Sequence, residues 1–256
     1  MAKKRSSRRR RRRGLLGRLL RPLSVLLAAA AIVAALTMFF KVETIQVTGA
    51  SRYQAADIIA ASGVEVGDNL VLLDRYRVSQ RIYTALPYIT DVQPRPKFPS
   101  TLEIEVTETR AAAAIQGAGG WWLLSAGGKI LEAADGSMAA GYPQITGVYA
   151  KDPAVSDPLV LPEDGVITAQ RLQELLSVLA LQEALPQVDR IDCTSPRELV
   201  IHYDGRFRAE LFYDADFDFK ITCLLSAVDK LEPNQKGVLR MTMSDDYEVR
   251  FIPDAE

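Results

Sequence analysis

The chain holds one histidine, His202, and two cysteines, Cys193 and Cys223, so the side chains that most often carry catalysis are scarce. His202 alternates with Ile201 and Tyr203 in a strand-like run and reads as a solvated side chain, not a general base. One histidine and two separated cysteines cannot supply a zinc site of nitrogen and sulfur ligands, and no H-E-x-x-H occurs. Nucleophile motifs of the G-x-S-x-G and S-x-x-K types are absent as well. Gly117-Ala118-Gly119-Gly120 hints at a phosphate loop. It precedes a strand and lacks the G-K-[ST] ending, so it reads as a linker. Asp214, Asp216 and Asp218, at alternate spacing, admit a cation such as calcium. They also stand just before a helix, whose positive end favours carboxylates. No catalytic residue, cofactor or metal ligand is expected, and the chain is read as a protein that is not an enzyme.

The segment that must position everything else is Leu23 to Phe40, 18 residues without a charged side chain. A helix of that length rises roughly 27 Å, close to the ~30 Å hydrocarbon core of a bilayer. Nine of its residues are Leu, Ile, Val or Phe, and together they favour insertion by several kcal/mol. A signal peptide has a similar plan, but its apolar stretch is shorter, and Leu36 to Phe40 offers no small-x-small cleavage site before Lys41.

Ahead of that stretch stand eleven positive charges, including the run Arg8 to Arg13, and no acidic residue. The remainder carries 20 of the 31 Lys and Arg against all 32 Asp and Glu, a net charge near −12. Positive-inside bias places the arginines in the cytoplasm and the residues from Lys41 onward outside it. The basic block then serves as a topology signal and an anchor on anionic lipid, and nucleic acid is not expected as a partner. Cys193 and Cys223 fall in the exported part, where a disulfide is permitted. Free thiols are favoured, because Cys223 sits in a predicted helix where a small apolar side chain packs well.

From residue 41 to about 110 the patterns run strand, helix, helix, strand, strand. Ile45 and Val47 alternate with polar neighbours up to Gly49. A helix is predicted over 53–62, with Ser51 as N-cap and Gly63 as its stop. Asp74 caps a second, with Val78, Ile82 and Leu86 at four-residue spacing and Pro87 ending it. Pro94 and Pro96 confine the strand from Ile89 to an edge or a strand end. Leu102, Ile104 and Val106 then alternate with Glu103, Glu105 and Thr107 as a half-buried strand.

These residues resemble the FtsQ/DivIB cell-division proteins, and the small module resembles a POTRA domain. The likeness is carried by the basic tail and apolar segment, by Ile45-x-Val47-x-Gly49 and by Leu86-Pro87-Tyr88-Ile89. Val92, Phe98-Pro99 and Leu102-x-Ile104-x-Val106-x-Glu108 complete it. Further on, Trp122-Leu123-Leu124-Ser125 through Gly128-Lys129-Ile130-Leu131 is similar to the opening hairpin of that family's β-domain. Pro143-x-Ile145-x-Gly147 and Lys220-Ile221 match other pieces of it.

The second module, 111–256, is predicted as hairpins and two helices. One helix spans about 168–185 with the stripe Leu172, Leu175, Leu176 and Leu179, the other about 220–231. Asp204-Gly205 joins the strands 198–203 and 206–213 as a tight hairpin. Closing strands are predicted near 238–243 and 247–252, turning at Ser244-Asp245-Asp246.

The reading is therefore an α+β protein with a basic cytoplasmic tail over 1–22 and a single transmembrane helix over 23–40. A POTRA-like β-α-α-β-β domain over 41–110 and a mixed antiparallel-sheet β-domain with two helices over 111–256 follow. Without catalytic groups, function must come from binding, and an exposed sheet edge is the physical means. The last strand is the candidate edge, with Met243, Tyr247, Val249 and Phe251 lining one face. The resemblance implies that this edge binds partners of the FtsL and FtsB/DivIC type in the machinery that builds the septum. Two other functions fit the same layout: a POTRA-bearing translocation or chaperone factor, and a membrane-anchored extracytoplasmic enzyme using paired carboxylates. The first usually continues into a long series of alternating barrel strands, which is missing here.

Overall fold

The computed structural model describes residues 13–242 and 249–254, with side chains from 22–34 and from 38 onward within those ranges. The tail residues 1–12, with most of the arginine run, lie outside the described residues. So do Met243, Tyr247 and the turn Ser244-Asp245-Asp246.

Helix α1 spans Arg13–Phe39, running through Pro22. It thus begins ten residues before the predicted apolar start and stops one residue short of Phe40. Leu23, Val25, Leu26, Leu27, Ile32 and Val33 are all exposed along it. Among the described residues no helix is long and apolar enough to cross a membrane.

The first module pairs β1 (Thr44–Thr48), β2 (Ile89–Lys97) and β3 (Thr101–Glu108) in the order β1-β3-β2, beneath α2 (Ala55–Ser62) and α3 (Arg75–Ala85). β1 runs parallel to β3, and β2 antiparallel to it. The proline-bearing strand β2 is an edge, as a strand with missing donors must be. Ile58, Val78, Ile82, Ile89, Leu102 and Ile104 fill the core between helices and sheet. Asp74 caps α3 by accepting from Arg77 N, and Gly63 ends α2 in the left-handed conformation. The cap of α2 is Gln54, in a reciprocal capping box with Asp57, and not Ser51.

The second sheet has nine strands in the order β12-β11-β10-β9-β8-β7-β4-β5-β6. Their ranges are β4 Ala111–Gly117, β5 Gly120–Ser125, β6 Ile130–Ala134, β7 Gln144–Ala150 and β8 Val188–Asp192. β9 Glu198–Tyr203, β10 Phe207–Phe212, β11 Gly237–Arg240 and β12 Arg250–Pro253 complete it. Three of the pairings are parallel (β4 with β7, β7 with β8, β10 with β11), so the sheet is more mixed than alternating hairpins suggested. Helices α5 (Ala169–Leu181) and α6 (Phe217–Asp229) are the two expected, and a four-residue α4 (Gly136–Ala139) is an addition. Leu172, Leu175, Leu176 and Leu179 are all fully buried, against Ile221, Leu224 and the inner faces of the strands.

Strand β4 corrects the linker reading of the glycine run. Gly117 pairs with Gly120 at the tip of a tight hairpin. Its Ala112, Ala113, Ala114 and Ile115 are buried on both faces, Ala113 in the main core and Ala114 in a separate cluster on the opposite side. A strand closed in from above and below has room for little more than methyl groups, which is why composition disguised it.

Two motif glycines now have physical reasons. At Gly49 (φ +86°) an added Cβ would lie 2.1 Å from the Val106 carbonyl oxygen. At Gly147 (φ +84°) it would lie 2.4 Å from the Cys193 carbonyl carbon and the Thr194 nitrogen. Both neighbours are backbone and cannot step aside. Gly147→Ala should therefore destabilise the second module by about 3 kcal/mol, read as a lowered urea midpoint with unchanged slope.

Candidate interaction surfaces and the domain junction

His202 and the acidic residues beside α6 serve the fold. His202 lies in a cross-strand row with Arg190 and Arg208 on the sheet face away from α5 and α6. Its Nε2 stands 3.0 Å from Arg190 Nη2, and, since a guanidinium only donates, the imidazole accepts. Burial and then the Arg190 charge hold its pKa below the usual value, so it stays neutral. Asp216 caps α6 through Phe219 N, and Asp218 accepts from Gln182 Nε2 at 2.8 Å. Among the described residues no three His, Cys, Asp or Glu side chains gather as a metal site. Cys193 and Cys223 are both free, and burial pushes the Cys193 thiol up to about 12.

Glu108, an ordinary strand-end glutamate in the sequence, is a fastening point in the fold. The Glu108 carboxylate accepts from Ser51 N (3.0 Å), Ser51 Oγ (2.6 Å), Arg52 N (2.9 Å) and Tyr53 N (3.2 Å). Three successive backbone donors of the β1–α2 loop thus converge on one side chain. Burial alone would raise its pKa, but the Ser51, Arg52 and Tyr53 hydrogen bonds outweigh it and hold the carboxyl below its ordinary value. Because the folded pKa is depressed, the carboxylate stabilises the fold above about pH 4.3, and that contribution fades as pH falls through the folded value. Glu108→Gln should cost about 2 kcal/mol at pH 7 and flatten the acid limb of a pH–stability profile measured by thermal melts.

The loop so fastened carries Arg52 and Tyr53 to the junction between the two modules. Tyr53 and Tyr88 of the first pack with Ala114, Leu123, Leu131 and Ala139 of the second, a small apolar cluster of its own. The Tyr88 hydroxyl donates to Glu132 of β6, and Arg52 lies 3.7 Å over the Tyr88 ring. Tyr53 Oη accepts from Tyr88 N at 3.3 Å. On the other side Lys129, only 4% exposed, reaches from the β5–β6 turn into the first module. Its Nζ donates to the carbonyls of Tyr83 and Ile89, each at 2.9 Å, and sits 3.5 Å over the Tyr83 ring. Tyr83 belongs to the last turn of α3, whose carbonyls attract a cation. Beside this seam opens a cleft of about 680 Å³ lined by Arg52, Tyr88, Glu108, Arg110 and Tyr142.

At the far end of the second sheet, β12 pairs with β11 on one side, and among the described residues no strand covers the other. Asp254 N donates to Lys236 O at 3.0 Å, which makes that couple a hydrogen-bonded pair. Antiparallel alternation then turns the N–H and C=O of Phe251 outward, along with the donorless nitrogen of Pro253. The Phe251 ring turns inward, edge-on to Phe207 at 6.3 Å, and Val249 also packs against the core. Of the four residues expected to line a binding face, the two described ones thus spend their side chains on the core and leave a backbone edge.

A three-stranded β-α-α-β-β module locked to a large mixed sheet has the layout of a POTRA-bearing protein. Residues 40–109 match the FtsQ-type POTRA domain. The chain is 32% identical over 165 residues to the cell division protein FtsQ of Corynebacterium glutamicum, covering 64% of this chain and 72% of that one. It is 31% identical over 212 residues to FtsQ of Geobacter sp. strain M21, covering 79% and 72%. Against the cell division protein DivIB of Clostridium tetani the identity is 23% over 183 residues, covering 72% and 68%. The chain belongs to the FtsQ/DivIB family of cell-division proteins. It is accordingly a non-enzymatic division protein.

Proposed function

We propose that the chain is a bitopic membrane scaffold of the divisome, holding other division proteins together while the septum forms. The segment 23–40 spans the membrane once, with the basic tail 1–22 in the cytoplasm against anionic lipid. The POTRA domain over 41–110 and the β-domain over 111–256 stand outside. The span is supported by the uncharged run and by the exposed apolar side chains of α1, which a watery surface would not favour. The orientation is supported by the eleven positive charges ahead of the run.

The single observation that carries the scaffold reading is the outer edge of β12, which no strand among the described residues covers. An incoming strand can add to it by main-chain hydrogen bonds, and the partners are bitopic proteins of the FtsL and FtsB/DivIC type. Depletion of the chain, with a fluorescent fusion supplied in its place, tests the role. Septal fluorescence of the fusion, and filamentous growth when the chain is depleted without it, are expected; diffuse envelope fluorescence with normal septation in the depleted cells would refute it.

A further inference from the structure

The chain leaves α1 through residues 40–43, and two loops of the first module close around that exit. Leu70 N donates to Phe40 O at 2.9 Å, Val42 N to Asp68 O at 2.8 Å and Gly67 N to Val42 O at 2.8 Å. From the other side Glu43 N donates to Ser100 O at 2.8 Å, and the Phe98 ring lies 5.0 Å from that of Phe40. The loops 65–73 and 97–100 are thus held to the four residues that follow the last turn of α1.

Those loops carry large apolar side chains facing solvent: Val66 (72% exposed), Val71 (49%), Leu72 (70%) and Phe98 (59%). Phe39, at the end of the helix, is 70% exposed beside them. Single exposed apolar residues are ordinary, but here five share one small region continuous with the apolar surface of α1. No charge excess explains them, since Lys41, Arg75, Arg77 and Lys97 are balanced by Glu43, Glu65, Asp68 and Asp74.

We propose that these two loops form a lipid-docking surface, which seats the first module in the outer headgroup layer around the exit of the helix. The inference rests on the span proposed above. Val66, Val71, Leu72 and Phe98 enter the boundary between headgroups and acyl chains, as the apolar face of an interfacial segment does. Aromatic rings suit that depth, and Tyr76, 73% exposed in the first turn of α3, extends the same surface. Because the local charges cancel, the contact is apolar and does not depend on anionic lipid or on salt. The consequence is mechanical: the first module is fixed against the bilayer, and through Lys129 and Tyr88 the second is held at a set height and tilt.

The test uses the full chain in phosphatidylcholine nanodiscs, on a Cys223→Ser background in which the buried Cys193 does not react. An environment-sensitive fluorophore is placed on Leu72→Cys, on Leu27→Cys within α1 and on Lys151→Cys in an exposed loop of the second module. Iodide quenching at Leu72 should be about fivefold weaker than at Lys151, as expected at the headgroup–acyl boundary, and unchanged by salt. Lipid-borne nitroxides should quench Leu72 and Leu27 but not Lys151. If Leu27 is shielded while Leu72 is as open to iodide as Lys151, the span stands and the docking surface is refuted. A Leu27 probe open to iodide removes the span and the docking with it. Shielding of Leu72 that arises only when a second protein is added assigns the surface to a partner and overturns the lipid reading.

Discussion

Phe251→Pro should weaken capture of FtsL- and FtsB/DivIC-type partners roughly thirtyfold relative to Phe251→Ala, a difference of about 2 kcal/mol. Both variants lose the ring that packs on Phe207, so both lose similar core stability. Only proline also removes the outward N–H of β12, leaving the acceptor on an incoming strand without a donor. The ladder to β11 is spared, because the inward donors belong to Ile252 and Asp254. Pro253 already occupies an outward position two residues away, which shows that the strand accepts the ring. Affinity for a partner peptide measured by titration calorimetry, with melting temperatures alongside, separates the edge effect from folding. Equal affinities for the two variants would mean that the edge is not the binding element.

Lys129→Met should uncouple the two modules. Methionine preserves the apolar stem but supplies no donor, so the buried carbonyls of Tyr83 and Ile89 lose their partner. The expected cost is about 3 kcal/mol at the junction, typical for loss of charge-assisted bonds with the acceptors left buried. Calorimetry should then resolve two transitions in place of one, and hydrogen exchange should accelerate over 83–89. Burial lowers the Lys129 pKa to about 8, while the carbonyls and the Tyr83 ring keep the amine charged at neutral pH. An unfolded lysine titrates near 10.4. Between about pH 8 and 10.4 the unfolded chain therefore holds the extra proton, and stability contributed by this site rises with pH there. Lys129→Met should abolish that rise.

The elements with strong periodicity were legible in the sequence. The leucine stripe of α5, the Asp74 cap and the alternating β3 all lie where side-chain spacing put them. Asp204-Gly205 turns β9 into β10 as that dipeptide should. Three things escaped. Strand β4 was hidden by alanine, whose weak strand preference is overridden by burial between two layers. The parallel neighbours β4, β7 and β8 were invisible because pairing between distant strands leaves no local signal. Glu108 and Lys129 looked like ordinary charges, since nothing near them in sequence names their partners 40 to 57 residues away. At β12, alternation could not say which side chains turn toward the core. The inward turn of Phe251 and Val249 is a property of the packed sheet.

The role of β12 is tested most directly in living cells with a photo-crosslinking residue at Arg250, exposed on that strand. The control position is Ala133, exposed on β6 at the opposite edge of the same sheet. Irradiation should join Arg250 to partners of the FtsL or FtsB/DivIC type, and Ala133 to neither. Crosslinks at Ala133 with none at Arg250 would contradict assembly through the closing strand.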